Sequence, residues 1–258
     1  MGVINVTPDS FSDGGLFLDH EAAIARGHEL IAEGADVIDI GGESTRPGSE
    51  GVPEDVELER VLPVVEALAP HVRVSIDTRK AKVAEAAIAA GATLLNDVSA
   101  SLHEVAAAAR PAVGFVAMHM LGDPRTMQAN PTYGDVVQEV CQFLVARAEA
   151  AVAAGVGEVW IDPGIGFGKT TAHNLSLLRH LDVLVSTGFP VVIGTSRKRF
   201  LGAVLAEADR PKPLEPVAPE DRVEGSVATA VWAMVQGVRM VRVHDVRATV
   251  HAARVVAG

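Results

Sequence analysis

The chain has 258 residues, 48% of them hydrophobic, 21% charged and 4% aromatic, with a formal net charge of −11. About 250 residues is the usual size of one (β/α) barrel, and the acidity disfavours non-specific nucleic acid or anionic membrane, which both need clustered Lys and Arg. The single cysteine, Cys141, excludes an intramolecular disulfide and a cysteine-based zinc site. MGVINVTPDS lacks the basic and apolar regions of a secretory signal, and no uncharged apolar run approaches the ~18 residues of a membrane span, so a soluble, cytoplasmic protein is expected.

In chain order, short runs rich in Val and Ile alternate with longer helical stretches. The runs Val3–Val6, Val37–Ile40, Val72–Ile76, Leu94–Val98, Gly114–Met118, Val159–Ile161, Val191–Gly194 and Met240–Val243 read as strands buried on both faces. Ala-rich segments with apolar residues at helical spacing lie between them, as at Glu21–Glu33, Lys80–Ala90, Asp135–Ala154 and Asp245–Val256. Gly34, Gly91 and Gly155 stand where a left-handed C-cap joins helix to strand. The repeated helix–Gly–strand phrase marks a βα unit. Eight such units predict an α/β fold, a single (β/α)8 TIM barrel of parallel strands over residues 1–258. An open doubly wound sheet is the rival. Pro211, Pro213, Pro216 and Pro219 make Glu207–Glu220 an exposed loop between helical Lys198–Ala206 and Arg222–Gln236. Cys141, Trp160 and Trp232 read as core.

In such a barrel the chemistry gathers at the C-terminal strand ends. Here most strands finish on an apolar–polar pair: Ile4-Asn5, Ile38-Asp39, Ile76-Asp77, Leu95-Asn96, Met118-His119, Ile161-Asp162 and Val243-His244. One such residue usually just caps the next helix, a reading that weighs evenly for Asp39 and Asp97. Seven facing one mouth need a ligand to offset their burial. Asp77, Asn96 and Asp162 supply acceptors suited to a flat heterocycle with an amino edge. Lys198, Arg242, His244 and Arg46, with Lys169 as a further candidate, supply cationic donors for an anion, and barrels commonly hold phosphate after strands seven and eight. GIGFGKTT is not a Walker loop, because Pro163 occupies the required first Gly position, nor a GxGxxG fingerprint. Its glycines still suit close backbone approach to a ligand.

These residues carry a resemblance to dihydropteroate synthase. GVINVTPDSFSDGG resembles that family's first-strand signature and GGESTRPG its second-loop signature; SIDT, LLND, MHM, IDPGIGFGK, SRKRFLG and RVHDV follow in order along essentially the whole chain. The resemblance implies condensation of 6-hydroxymethyl-7,8-dihydropterin pyrophosphate with p-aminobenzoate to 7,8-dihydropteroate, in folate biosynthesis, with Mg²⁺ as cofactor. It places Asp77, Asn96, Asp162 and Lys198 on the pterin. It places Asn5, Arg242 and His244 on the pyrophosphate, with Asn5 near Mg²⁺, and gives Lys198, Arg242 and His244 the catalytic roles. Thr45, Arg46, Pro47, Phe167 and Ser196 resemble the surroundings of p-aminobenzoate. Small-molecule partners, sulfonamide sensitivity and a homodimer are implied, with the last two helices as a candidate face. Loops Pro8–Gly15 and Gly42–Gly51 suit closure over the site. Where members usually carry Gly, Ala100 stands, so a small change of loop geometry is expected. A folate-binding methyltransferase domain needs no pyrophosphate site, and a non-catalytic pterin-binding paralogue would have lost motif residues; both are weaker alternatives.

Overall fold

In this computed structural model residues 1–7, 16–44, 48, 49, 51–208 and 216–258 are described. Strands and helices alternate from the first residue onward. They run β1 (Gly2–Asn5), α1 (Leu16–Ala32), β2 (Val37–Gly41), α2 (Glu54–Leu68), β3 (Arg73–Asp77) and α3 (Ala81–Ala89). Then come β4 (Leu94–Asp97), α4 (His103–Ala108), β5 (Gly114–Met118), α5 (Val136–Ala153), β6 (Val159–Asp162), α6 (Thr171–Arg179) and α7 (Leu181–Val185). The chain ends with β7 (Val192–Ile193), α8 (Arg199–Ala208), α9 (Val223–Val235), β8 (Met240–Val241) and α10 (Val246–Ala257).

Strands β1 to β6 pair in sequence order, and β7 pairs with β8, all in parallel. Single bridges, Ile161 to Val191 and Gly2 to Val243, join the two groups. At the second seam the Val3 amide donates to the Val243 carbonyl (3.1 Å) and the Val243 amide to that of Met1 (2.9 Å). The circle of eight is therefore closed. The last two strands are shorter than their four-residue apolar runs. Beyond Ile193 the chain turns back on itself, the Lys198 amide donating to the Thr195 carbonyl at 3.2 Å.

The period of two along each strand sorts residues between two cores. Ile4, Ile38, Ile40, Val74, Ile76, Leu95, Phe115, Ile161 and Ile193 face outward and pack with the helices. Met1, Val37, Leu94, Val116 and Val192, with Trp160 and Met240, form a separate apolar cluster that plugs the lower barrel. Two residues further along the same inward positions the character changes to Asp39, Ser75, Asn96, Asp162 and Arg242. The barrel is thus an apolar plug with a polar layer above it. Gly34, Gly91 and Gly155 take φ of 103°, 115° and 99°, the left-handed caps their positions demand.

Two expectations need correction. Trp232 is not core: it is 45% exposed on α9, with its indole N–H on the Leu178 carbonyl at 2.7 Å. A helix also covers residues 54–68, where no Ala-rich pattern announces one and Pro63 lies inside it. Of the proline-rich stretch, residues 209–215 lie outside the described residues; Pro219–Asp221 form a single 3₁₀ turn.

Candidate active site

Asp77 ends β3 and Asn96 lies beside it on β4, in direct register. Gly41 is Asp77's partner on β2, and a Cβ there would stand 3.5 Å from the Asp77 Cβ. Arg242 reaches across from the far side of the circle. Its Nε donates to Asp39 Oδ2 at 2.6 Å and its Nη2 to Asp77 Oδ2 at 2.8 Å. Asn96 Nδ2 donates to the same Asp39 oxygen at 3.1 Å. One oxygen each of Asp39 and Asp77 is buried without a partner among the described residues.

Asp39 and Asp97 resolve in opposite directions. Asp97 points outward and is a turn-and-cap residue, accepting from the amides of Ser99, Ser101 and Leu102 at 2.8, 2.6 and 2.7 Å. Asp39 points inward, is fully buried, and joins the polar layer.

The loop after β6 forms the opposite wall. Asp162 Oδ1 accepts the Gly164 amide at 2.7 Å. Lys198, just before α8, donates to the Ile165 carbonyl, and its Nζ lies 4.7 Å from the centre of the Phe167 ring. Gly164, Gly166 and Gly168 all have positive φ (61°, 85° and 62°). A Cβ on Gly164 would fall 1.9 Å from the His119 carbonyl oxygen, and one on Gly168 2.6 Å from that of Leu121. The close approach of Gly164 and Gly168 is therefore to the loop after β5, whereas a Cβ on Gly166 would meet the stem of Lys198, 3.2 Å from its Cδ. The final GKTT serves α6: Thr170 caps it in a reciprocal pair with His173.

Lys169 is not a mouth cation. It is buried, and its Nζ lies 2.9 Å from His119 Nδ1 and donates to the carbonyls of Gly164 and Phe167, both at 3.0 Å. His119 is drawn into this knot too. Ser196, expected near p-aminobenzoate, instead touches an expected pyrophosphate residue: its Oγ lies 3.0 Å from His244 Nδ1 and accepts the His244 amide at 3.1 Å. Arg197 is held away by a fork onto Asp245, at 3.0 and 2.5 Å. Asn5 closes β1 half-buried. Thr45, Arg46 and Pro47 lie outside the described residues, as does the loop 8–15.

Burial governs the titration of these groups. It pushes Asp77 up to about 7 against the pull of Arg242, with Asp39, Glu57 and Asp97 adding to the rise. Burial raises Asp162 as well, opposed by Lys198. It brings Lys198 down to about 8 although Asp162 draws the other way. Lys169 is lowered to about 7 by burial and then by Lys198, and His119 to about 3 by burial and then by Lys169. Burial alone would lower Arg242, but Asp39 and Asp77 outweigh it and raise it.

Acceptors on one wall, a lysine on the other and an arginine with a histidine beside them, all above the plug of an eight-stranded barrel, define a pterin-binding enzyme of the βα-barrel class. The family described as pterin binding enzyme matches residues 1–244. The chain is 47% identical to the dihydropteroate synthase of Mycobacterium leprae, over 99% of this chain and 91% of that protein. Among solved structures it resembles Xanthomonas albilineans dihydropteroate synthase with 4-aminobenzoic acid (48% identity, TM-score 0.88, 99% and 90% of the chains). It likewise resembles the Yersinia pestis enzyme in a sulfonamide complex (44% identity, TM-score 0.89, 100% and 92%). The chain belongs to the dihydropteroate synthase family.

Proposed function

We infer that this chain joins 6-hydroxymethyl-7,8-dihydropterin pyrophosphate to p-aminobenzoate, releasing pyrophosphate and 7,8-dihydropteroate for folate biosynthesis. The observation that carries this is the unpartnered acceptor on Asp77, beside Asn96 and within reach of the same guanidinium that would meet the pyrophosphate. The amino-pyrimidine edge donates to Asp162 and Asp77, and a carboxylate accepting two N–H bonds is the strong form of that contact. Lys198 donates to a ring acceptor. Arg242 uses Nε and one Nη2 hydrogen on Asp39 and Asp77, so the rest of its five-hydrogen fork is left for phosphate oxygens. His244, steadied by Ser196, completes that side.

The reacting CH₂ sits on a conjugated ring and the arylamine is a weak nucleophile, so C–O cleavage runs ahead of N attack. Arg242 and His244 then act on charge as it develops on the departing pyrophosphate, and no covalent intermediate with the protein is needed. Phe167, held against Lys198, offers an apolar wall to the arylamine, with Thr45, Arg46 and Pro47 assigned to the same substrate.

Among the described residues no three His, Cys, Asp or Glu side chains gather as a metal cage. The amide oxygen of Asn5 would hold Mg²⁺, a hard cation that one protein oxygen suits where a substrate's phosphates would supply further oxygens. When bound it neutralises charge on the leaving group. No described helix is long and apolar enough to cross a membrane. The test is direct: purified protein with both substrates and Mg²⁺ should release pyrophosphate and dihydropteroate, with sulfonamides competing against p-aminobenzoate. No turnover above background refutes the reading.

A further inference from the structure

Among the described residues the Asp39 carboxylate alone is hydrogen-bonded to the side chains of both Asn96 and Arg242. Its Oδ2 accepts from each, at 3.1 and 2.6 Å, and its residue is fully buried. Asn96 belongs to the ring side of the site and Arg242 to the phosphate side. A guanidinium on a long stem has many rotamers to choose from, and every one it visits other than the working one slows the reaction. Asp77 holds Arg242 only through Nη2, a contact free to pivot; the second, charge-assisted bond at Nε fixes the plane of the fork.

We propose that Asp39 is a positioning residue: its buried carboxylate locks the guanidinium plane of Arg242, and the Asn96 amide with it, so that Arg242 presents its free N–H groups to the pyrophosphate. Asp39 touches no substrate and acts through these two side chains. The inference rests on the synthase reading above.

The substitutions separate geometry from charge. In Asp39→Asn the amide oxygen can stand in the place of Oδ2 and keep both bonds without the charge; Asp39→Ala loses both. A charge-assisted bond is worth roughly 1.5–3 kcal/mol, or on the order of 10–100-fold in rate. Asp39→Ala is expected to lower kcat about 30-fold or more with the KM for p-aminobenzoate unchanged, and Asp39→Asn to recover most of that loss. In an Arg242→Ala background the same Asp39→Ala change is expected to cost less than about threefold. An equal loss in both backgrounds overturns the proposal, as does wild-type kcat in Asp39→Ala. If Asp39→Ala fails to fold by circular dichroism, the cycle is run with Asp39→Ser, whose shorter side chain gives up both bonds while keeping a polar atom in place; there a loss independent of Arg242, or wild-type kcat, overturns it equally. Turnover by the wild-type protein in the same assay keeps this outcome distinct from failure of the synthase reading.

Discussion

Ala100 shows how one backbone angle explains a departure from the family pattern. It sits at φ 51°, in the left-handed region where glycine is at ease, and is fully buried beneath the turn that Asp97 organises. Alanine tolerates that angle at a cost of about 1–2 kcal/mol. A β-branched side chain does not, and it would also overpack the site. Ala100→Val is expected to lower the unfolding free energy by about 2–4 kcal/mol; an unchanged urea midpoint would contradict this. The same scale governs the pH profile. The proposed contact with the pterin edge requires Asp77 as carboxylate, so kcat/KM is expected to fall as pH drops through about 7, where Asp77 gains its proton. Lys198 must carry its proton to donate, so kcat/KM also falls as pH rises through about 8. The charges that act on them are Arg242, Asp39, Glu57 and Asp97 for Asp77, the last from the outer side of the barrel, and Asp162, Arg242 and Asp77 for Lys198. The result is a narrow bell, and a flat profile from pH 6 to 9 would mean that neither group titrates in the free enzyme.

At the scale of elements, the loop after β6 is built on the loop after β5. Gly164 and Gly168 bring the two backbones together, and the Lys169 ammonium ties both through carbonyl oxygens. Asp162 and Lys198 are positioned by that loop, through the Gly164 amide and the Ile165 carbonyl. A methyl at Gly164 must displace the His119 carbonyl, so Gly164→Ala should lower kcat/KM more than tenfold while leaving helix content intact by circular dichroism. Wild-type kinetics would show that the two loops are not coupled. Element assignment itself was readable wherever periodicity was strong. α5 and α9 fall within a residue or two of their sequence bounds. α2 was not readable, because its apolar face follows neither an Ala-rich pattern nor a Pro-free run.

At the scale of the molecule, α9 carries Trp232 and Val235 at 45% and 59% exposure. Large apolar side chains in such exposure suit a partner surface. The homodimer proposed from the family has its candidate face here. Paired changes Trp232→Glu and Val235→Glu are expected to turn a dimer into a monomer by sedimentation, with about 1–3 kcal/mol lost from the folded chain because the indole bond to Leu178 goes too. A dimer that survives them puts the interface elsewhere.

The sequence alone determined the barrel and which polar residues its strand ends carry to one mouth. Eight βα phrases set the architecture, since parallel strands need crossovers, and the glycine caps at Gly34, Gly91 and Gly155 mark three of the returns. The strand-end residues Asp77, Asn96, Asp162 and Arg242 were legible because strand ends of such a barrel share one mouth. What only the tertiary structure decided were partners across the circle. Asp39 and Asp97 each stand near the end of a strand, yet one is the floor of the site and the other a cap. Strand alternation turns Asp39 inward, where Arg242, 203 residues later in the chain, closes on it, and turns Asp97 outward to its own turn. Lys169 followed the same rule: its motif suggested a cation for a ligand, but the fold placed three carbonyl oxygens around it and left none of its charge to the mouth. Contacts between residues distant in sequence depend on how the ring closes, and no local pattern encodes that.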